Sequence, residues 1–186
     1  MLDKATVLSA LFTIIDDAMK RSAMTQQALK RPGLAPHLSD SEVITLTLYQ
    51  ELIGEPREDH FFRLHQNSLR SFFPGLNERS RYNRHKRDLW AVILAVRTSL
   101  QLMLHALERE ENAAKPGVEL LDSFSHHLQR LRLRLICETV NAQEQLHLSK
   151  HYARSTWGLM TRIAAKITAH SGGMVLNSFL GRPVLQ

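Results

Sequence analysis

Apolar side chains recur along most of this chain at spacings of three and four residues, which is the period of an amphipathic helix. The pattern predicts helices over residues 4–20, 39–52, 60–69 and 89–107, and a last helix that begins near residue 155. Between them lie stretches with proline and glycine, which do not continue a helix. The pattern therefore predicts a mainly α fold, a multi-helix bundle.

Two of these helices have recognisable start signals. Ser39-Asp40-Ser41-Glu42 matches a capping box, in which the Ser39 side chain and the Glu42 side chain each bond the other residue's backbone N–H. Ser155 is a plausible N-cap of the last helix, because serine favours that position. The pair Gly172-Gly173 is expected to end that helix.

The last helix separates into an apolar and a basic face. The apolar face, predicted to be core or interface, consists of Trp157, Met160, Ile163, Ala164 and Ile167. The basic stripe consists of Arg162, Lys166 and His170. A solvated stripe is one interpretation, but its alignment with Lys150 and Arg154 favours contact with phosphate.

One stretch departs from the helical period. The short apolar run of residues 118–121 reads as a strand and ends in Asp122, and Glu138 follows sixteen residues later. Leu and Arg alternate over residues 130–135. The alternation has the period of a strand, although leucine and arginine both favour helices. We expect at most a short strand remnant around residues 118–124, whose terminal acid is suited to a metal site.

The charge narrows the range of partners. The 186 residues carry a formal net charge of +6, and 44% are hydrophobic, as in an ordinary globular protein. The positive charge favours a polyanion, with nucleic acid ahead of a membrane surface. The apolar segment 89–107 contains Arg97, Gln101 and His105, so we interpret it as a buried helix and not as a membrane span.

Cysteine usage and the N-terminus bear on the compartment. Cys137 is the only cysteine, which excludes an intramolecular disulfide, and the first residues do not form a secretory signal. A cytoplasmic location is expected.

The density of basic residues is highest just before the apolar segment. Residues 77–87 include a single acid, Glu78, and several side chains suited to phosphate and stacking contacts. A solvated helix start is the alternative interpretation. The predicted nucleic-acid contacts in this run are Arg79, Arg81, Tyr82, Arg84, Lys86 and Arg87.

Several segments together resemble a known family. Residues 38–46, 57–64 and 73–84, with the runs LSDSEVITL, REDHFFRL and FPGLNERSRYNR, look like the N-terminal region of bacterial DDE-type insertion-sequence transposases, in particular insertion-sequence family nine-eight-two. Leu121-Asp122-Ser123-Phe124 resembles the strand that carries the first catalytic aspartate. The segments that resemble the region of the catalytic glutamate and the helix after it are 138–141 and 151–159.

The resemblance implies a ribonuclease-H-like domain in which two aspartates and one glutamate hold two divalent cations, Mg²⁺ or Mn²⁺. It assigns Asp122 and Glu138 as catalytic metal ligands, and it implies the DNA ends of an insertion sequence as partner. Full-length copies of a transposase are further expected partners.

The chain departs from the family pattern between these two acids. The family has most of its sheet and a second catalytic aspartate there, whereas no aspartate follows Asp122 in this chain. We therefore expect an N-terminal helical, DNA-binding region at 1–115, a junction at 116–137 and a C-terminal helical segment at 138–186. The expected protein is a truncated, catalytically deficient transposase-like DNA-binding remnant. The alternatives are a basic helical DNA-binding or regulatory protein, or a remnant without function.

Overall fold

The computed structural model describes residues 3–21, 36–113, 153 and 155–181. Six α-helices and no strand occur among these residues, so the predicted mainly α fold is confirmed. The strand expected near residues 118–124 and the junction 116–137 lie outside the described residues. The helices are α1 (Lys4–Arg21), α2 (Asp40–Leu52), α3 (Glu58–Leu69), α4 (Arg79–Asp88), α5 (Trp90–Ala113) and α6 (Thr156–Phe179).

The helices share one hydrophobic core. Helix α6 packs along α5, and α2 packs against both α1 and α6, so that the C-terminal helix belongs to the same core as the N-terminal ones. Burying these apolar side chains is the main stabilising term of the fold. Fully buried core residues include Leu8, Leu11, Ile15, Val43, Ile44, Leu48, Phe61, Ile93, Val96, Leu100 and Val175.

Helix α2 is the central element of the bundle. Every residue from Val43 to Glu51 is buried. The predicted capping box starts it: the Ser39 Oγ accepts a hydrogen bond from the Glu42 backbone N–H at 3.2 Å, and the Ser39 N–H donates to Glu42 Oε2 at 2.6 Å. These reciprocal bonds satisfy two donors that a helix start leaves open.

The turn between α3 and α4 passes close to the chain that precedes α2. A Cβ added to Gly75 would lie 2.2 Å from the backbone oxygen of His37, so only glycine fits there. This contact brings the start of α4 beside the N-terminus of α2.

Helix α6 does not end at its glycine pair, and that prediction is wrong. The helix continues to Phe179, and both glycines lie against other helices, with tight packing at Gly173. A Cβ on Gly172 would touch methyl groups of α1, α2 and α5 at 3.8–3.9 Å, and one on Gly173 would come within 3.1 Å of Leu52 Cδ2. The packing offsets the low helix propensity of glycine.

The exposed and buried faces of α6 also differ from the prediction. Trp157, Met160 and Ile163 are 60%, 38% and 39% exposed, whereas Lys166 is 1% exposed. The buried face is made mainly of small side chains, which let α6 approach its neighbours closely. It includes Thr161, Ala164, Ala165, Thr168, Ala169, Ser171 and Gly172.

Helix α5 is the one helix in the described ranges that is long and apolar enough to cross a membrane. The window Trp90–Leu107 has a mean hydropathy of 1.4, and 28% of it is buried. One side of the helix, with Val92, Ile93, Val96 and Leu100, packs in the common core, so the helix that was predicted to be buried is buried along this side only. Such helices of globular bundles meet the same criteria of length and composition.

Candidate nucleic-acid interface

Helix α4 is the most basic helix, and it has little apolar surface with which to attach to the bundle. Of its ten residues only Tyr82 and Lys86 are buried. Its position therefore depends on the packing of Tyr82 and on a few polar contacts to α2 and α3.

Tyr82 is the anchor of α4. Its side chain is 2% exposed, its ring centroid lies 5.1 Å from that of Phe62, and its hydroxyl is 2.9 Å from Thr47 Oγ1 on α2. Burial, and to a lesser extent the nearby Glu58 carboxylate, raises the pKa of Tyr82 above its ordinary range. The phenol is therefore neutral at physiological pH and is held by packing and one hydrogen bond.

Glu58 at the start of α3 holds two further side chains of α4. Its carboxylate forms a buried ion pair with the Lys86 ammonium and accepts a hydrogen bond from Asn83 Nδ2 at 2.5 Å. The Lys86 Nζ also lies 5.3 Å from the centroid of the Tyr82 ring, within cation–π range. A buried ion pair with these additional contacts keeps both charges compensated.

A third polar contact ties α4 to the start of α2. His85 Nε2 lies 2.5 Å from Asp40 Oδ1, and both side chains are largely buried. Together with Tyr82, Asn83 and Lys86, this contact fixes the rotation of α4 about its own axis.

The opposite side of α4 presents arginines to solvent. Arg79, Arg81, Arg84 and Arg87 are exposed. Because Arg81, Arg84 and Arg87 are three residues apart, they are neighbours on the helix surface. We call these three residues the arginine row; Arg79, at the first position of α4, is three residues before Tyr82 and lies nearer the side of the helix that faces the bundle. Arg81 Nε forms an ion pair with Glu78 Oε2 at 3.2 Å, and this pair is weak because both side chains are exposed.

Three residues predicted to contact nucleic acid lie in the interior, and their placement on a surface is wrong. Tyr82, Lys86 and Lys166 are 2%, 6% and 1% exposed. In the sequence, each of the two lysines belongs to a group of basic residues. In the structure, each is neutralised by a carboxylate from a distant part of the chain. A DNA phosphate cannot reach their ammonium groups in this structure.

Lys166 forms its ion pair with the Glu51 carboxylate of α2. The Lys166 Nζ and Glu51 Oε2 are 2.8 Å apart, and the two side chains are 1% and 6% exposed. One turn earlier, the half-buried Arg162 donates from Nη1 to the backbone oxygen of Pro56 at 2.7 Å. The predicted basic stripe of α6 is thus engaged in helix packing at two of its three positions.

The remaining predicted site residues lie outside the described residues. These are Lys150, Arg154 and the two acids assigned to catalysis, Asp122 and Glu138. Within the described ranges, no group of three or more His, Cys, Asp or Glu side chains is placed to share a metal ion. The expected Mg²⁺ or Mn²⁺ ligands therefore stay a prediction from the resemblance.

A tryptophan pair beside α4 was not predicted as a surface feature. Trp90 is the first residue of α5, directly after the end of α4, and its ring centroid is 6.0 Å from that of the exposed Trp157. The sequence signal was the position of Trp90 three residues after Arg87, but the helical pattern had assigned Trp157 to a core or interface face.

A separate groove of about 810 Å³ runs between α1, α5 and the end of α6. Its walls are mainly apolar, with exposed Leu102 and Phe179, and Asp17 and Arg21 are the charged residues that line it. No residue of α4 lines this groove, so it is distinct from the arginine row.

The interface is thus a short helix, fixed on one side by buried polar contacts and carrying exposed guanidinium groups on the other. Comparison of this chain with protein-family models, with curated proteins and with solved structures finds no match.

Proposed function

We propose that this protein binds DNA through the arginine row of α4. The observation that carries the proposal is the division of α4 into two sides. Tyr82 and Lys86 are buried in the bundle, whereas the arginine row is exposed. A helix held in this way presents its cations in a fixed arrangement, which lowers the entropic cost of binding.

The chemistry of the row suits a phosphate backbone. Guanidinium groups stay charged at all physiological pH values and donate two parallel hydrogen bonds to phosphate oxygens. The chain as a whole has a net charge of +6, which adds a long-range attraction for a polyanion. Contacts of this kind bind DNA without reading its sequence, and they release counterions.

The wider role we propose is that of a transposase-like protein of an insertion sequence. The support is the resemblance of residues 38–46, 57–64 and 73–84 to DDE-type transposases. Since no aspartate lies between Asp122 and Glu138, where the family has its second catalytic aspartate, we propose that the protein binds DNA without catalysing strand transfer. Supercoiled plasmid incubated with the protein and Mg²⁺ or Mn²⁺ should stay intact, and nicking or linearisation would refute the proposed loss of catalysis.

Binding is tested by the fluorescence anisotropy of a labelled duplex oligonucleotide, titrated with protein at several salt concentrations. The wild-type affinity should fall steeply as salt increases. The variant Arg81→Ala/Arg84→Ala/Arg87→Ala should bind more weakly, and the slope of log K against log salt should decrease by about 0.9 for each phosphate contact that is lost.

The matched control removes the same charge elsewhere. Arg21, Arg63 and Arg109 are exposed and lie on α1, α3 and α5. Replacing these three by alanine should leave most of the affinity and of the salt slope. Equal losses in the two triple variants would mean that net charge alone attracts the DNA, and a flat salt response of the wild type would refute the proposal.

A further inference from the structure

We infer that Trp90 and Trp157 form a stacking platform for unpaired bases, so that the preferred DNA ligand has a single-stranded segment beside the arginine row. This inference rests on the proposed DNA binding and specifies the form of DNA that is bound.

The geometry leaves one tryptophan ring open. Trp157 lies in the first turn of α6, where the Ser155 Oγ caps the helix by accepting a hydrogen bond from the Gly158 N–H at 3.2 Å. Its side chain is 60% exposed, while Trp90 behind it is half-buried. The two rings are 6.0 Å apart and inclined at 58°, so Trp90 supports Trp157 from one side and leaves much of its surface accessible.

The platform lies beside the arginines. Arg87 precedes Trp90 by three residues, which limits the distance between their Cα atoms to about 11 Å. A base on Trp157 would therefore have its neighbouring phosphates close to the reach of the arginine row. Asp88, between them, is exposed and is the acid of α4.

The combination of charge and aromatic surface favours a nucleic acid over an apolar partner. Exposed aromatic rings interleaved with cations are the pattern of single-strand binding grooves, where bases stack on the rings and the backbone follows the cations. Bases in a duplex already stack on each other and do not present their faces. The ligand of this platform must therefore contain splayed or unpaired bases.

The chain has two tryptophans in total, so its tryptophan fluorescence, excited at a wavelength that the three tyrosines do not absorb, reports on this platform alone. The experiment titrates the protein with a labelled single-stranded oligonucleotide and with the duplex of the same sequence, and it records tryptophan emission and label anisotropy together. Single-stranded DNA should quench the tryptophan emission strongly and bind more tightly than the duplex. Trp157→Ala should lower the affinity for the single strand by about 5- to 150-fold, with a smaller effect on the duplex.

The matched control is Phe179→Ala, since Phe179 is 64% exposed but lines the separate groove at the end of α6. It should leave both affinities unchanged. The quenching measurement needs only the wild-type protein, so it tests the platform even if Trp157→Ala does not fold.

The outcomes separate the two proposals. If neither form of DNA changes the anisotropy, the proposed DNA binding fails. If both forms bind equally and the tryptophan emission stays unchanged, DNA binding stands and the stacking platform is refuted. A shift of emission that depends on protein concentration without DNA would assign the tryptophans to self-association and would also overturn the platform.

Discussion

The buried ion pair between Lys166 and Glu51 makes the sharpest prediction about stability. The Lys166 ammonium lies 2.8 Å from the Glu51 carboxylate, and the two side chains are 1% and 6% exposed. Replacing Lys166 by methionine keeps most of the side-chain volume but leaves the Glu51 charge in the interior without this partner. The interior solvates a single charge poorly, so the folded state loses stability.

Breaking a buried pair from one side costs about 3–5 kcal/mol. In a chain of this size, each kcal/mol changes the melting temperature by about 2–4 °C. Lys166→Met should therefore melt about 6–20 °C below the wild type. The double variant Lys166→Met/Glu51→Leu should recover much of this loss, because it removes both desolvated charges and retains apolar packing.

The assay is thermal and urea unfolding followed by circular dichroism at a fixed pH. The matched control is Lys20→Met, because Lys20 pairs with Asp16 at the surface with a side chain that is 69% exposed. That variant should melt like the wild type, since exposed pairs contribute little. If Lys166→Met melted like the Lys20 variant, or if the double variant lost as much stability as the two single changes added, the assumption of a tight, water-excluded pair would be refuted.

Three further predictions concern the caps, the glycines and the buried tyrosines. Ser39→Ala should lower the free energy of unfolding by about 1 kcal/mol in urea titrations, because it removes the cap of the central helix; an unchanged value would mean that the capping bonds contribute nothing net. Gly172→Ala should raise the melting temperature, because alanine favours the helix and the new Cβ meets only ordinary contacts. Gly173→Ala should raise it less or lower it, because its Cβ would lie 3.1 Å from Leu52 Cδ2. Equal effects of the two substitutions would contradict this packing. Burial raises the pKa of Tyr82 and of Tyr49, so that above about pH 10 the unfolded chain releases phenolic protons that the folded chain retains, and stability should fall as pH rises. Absorbance titration should show the Tyr82 phenol ionising only as the protein unfolds, and the Tyr49 phenol ionising above its ordinary range. Tyr82→Phe should weaken the pH dependence of stability, and ordinary titration of Tyr82 in the folded state would contradict its burial.

Features with a local cause were predictable from the sequence. The positions of α2 and α5 follow from their apolar period, and the capping box at Ser39 is formed by residues three apart. The break at Gly75 was also predictable, although the reason that only glycine fits is the distant backbone of His37. Each of these predictions uses information contained within a few turns of chain.

The burial of individual side chains on α4 and α6 was not predictable from the period. The run of basic residues on α4 does not distinguish Lys86 from Arg84, yet the first is inside and the second is exposed. The difference is made by Glu58 on α3, which compensates the lysine charge. A periodic pattern treats every lysine as polar. It cannot show which lysine forms an ion pair with a carboxylate on another helix.

The same reason explains why the structure differs from the prediction at Trp157 and Lys166 of α6, whereas Ala164 is buried as predicted. The sequence by itself determined that residues after Ser155 form an amphipathic helix, that the chain is a mainly helical bundle and that it is basic. Only the tertiary structure decided that small side chains and Lys166 face the core while Trp157 faces solvent. Close packing against α5 and α2 favours a face of small residues, and Glu51 offsets the cost of burying the lysine. Hydrophobicity is a property of each residue, but the partners that make a charge or a glycine favourable in the interior are brought together only by the fold.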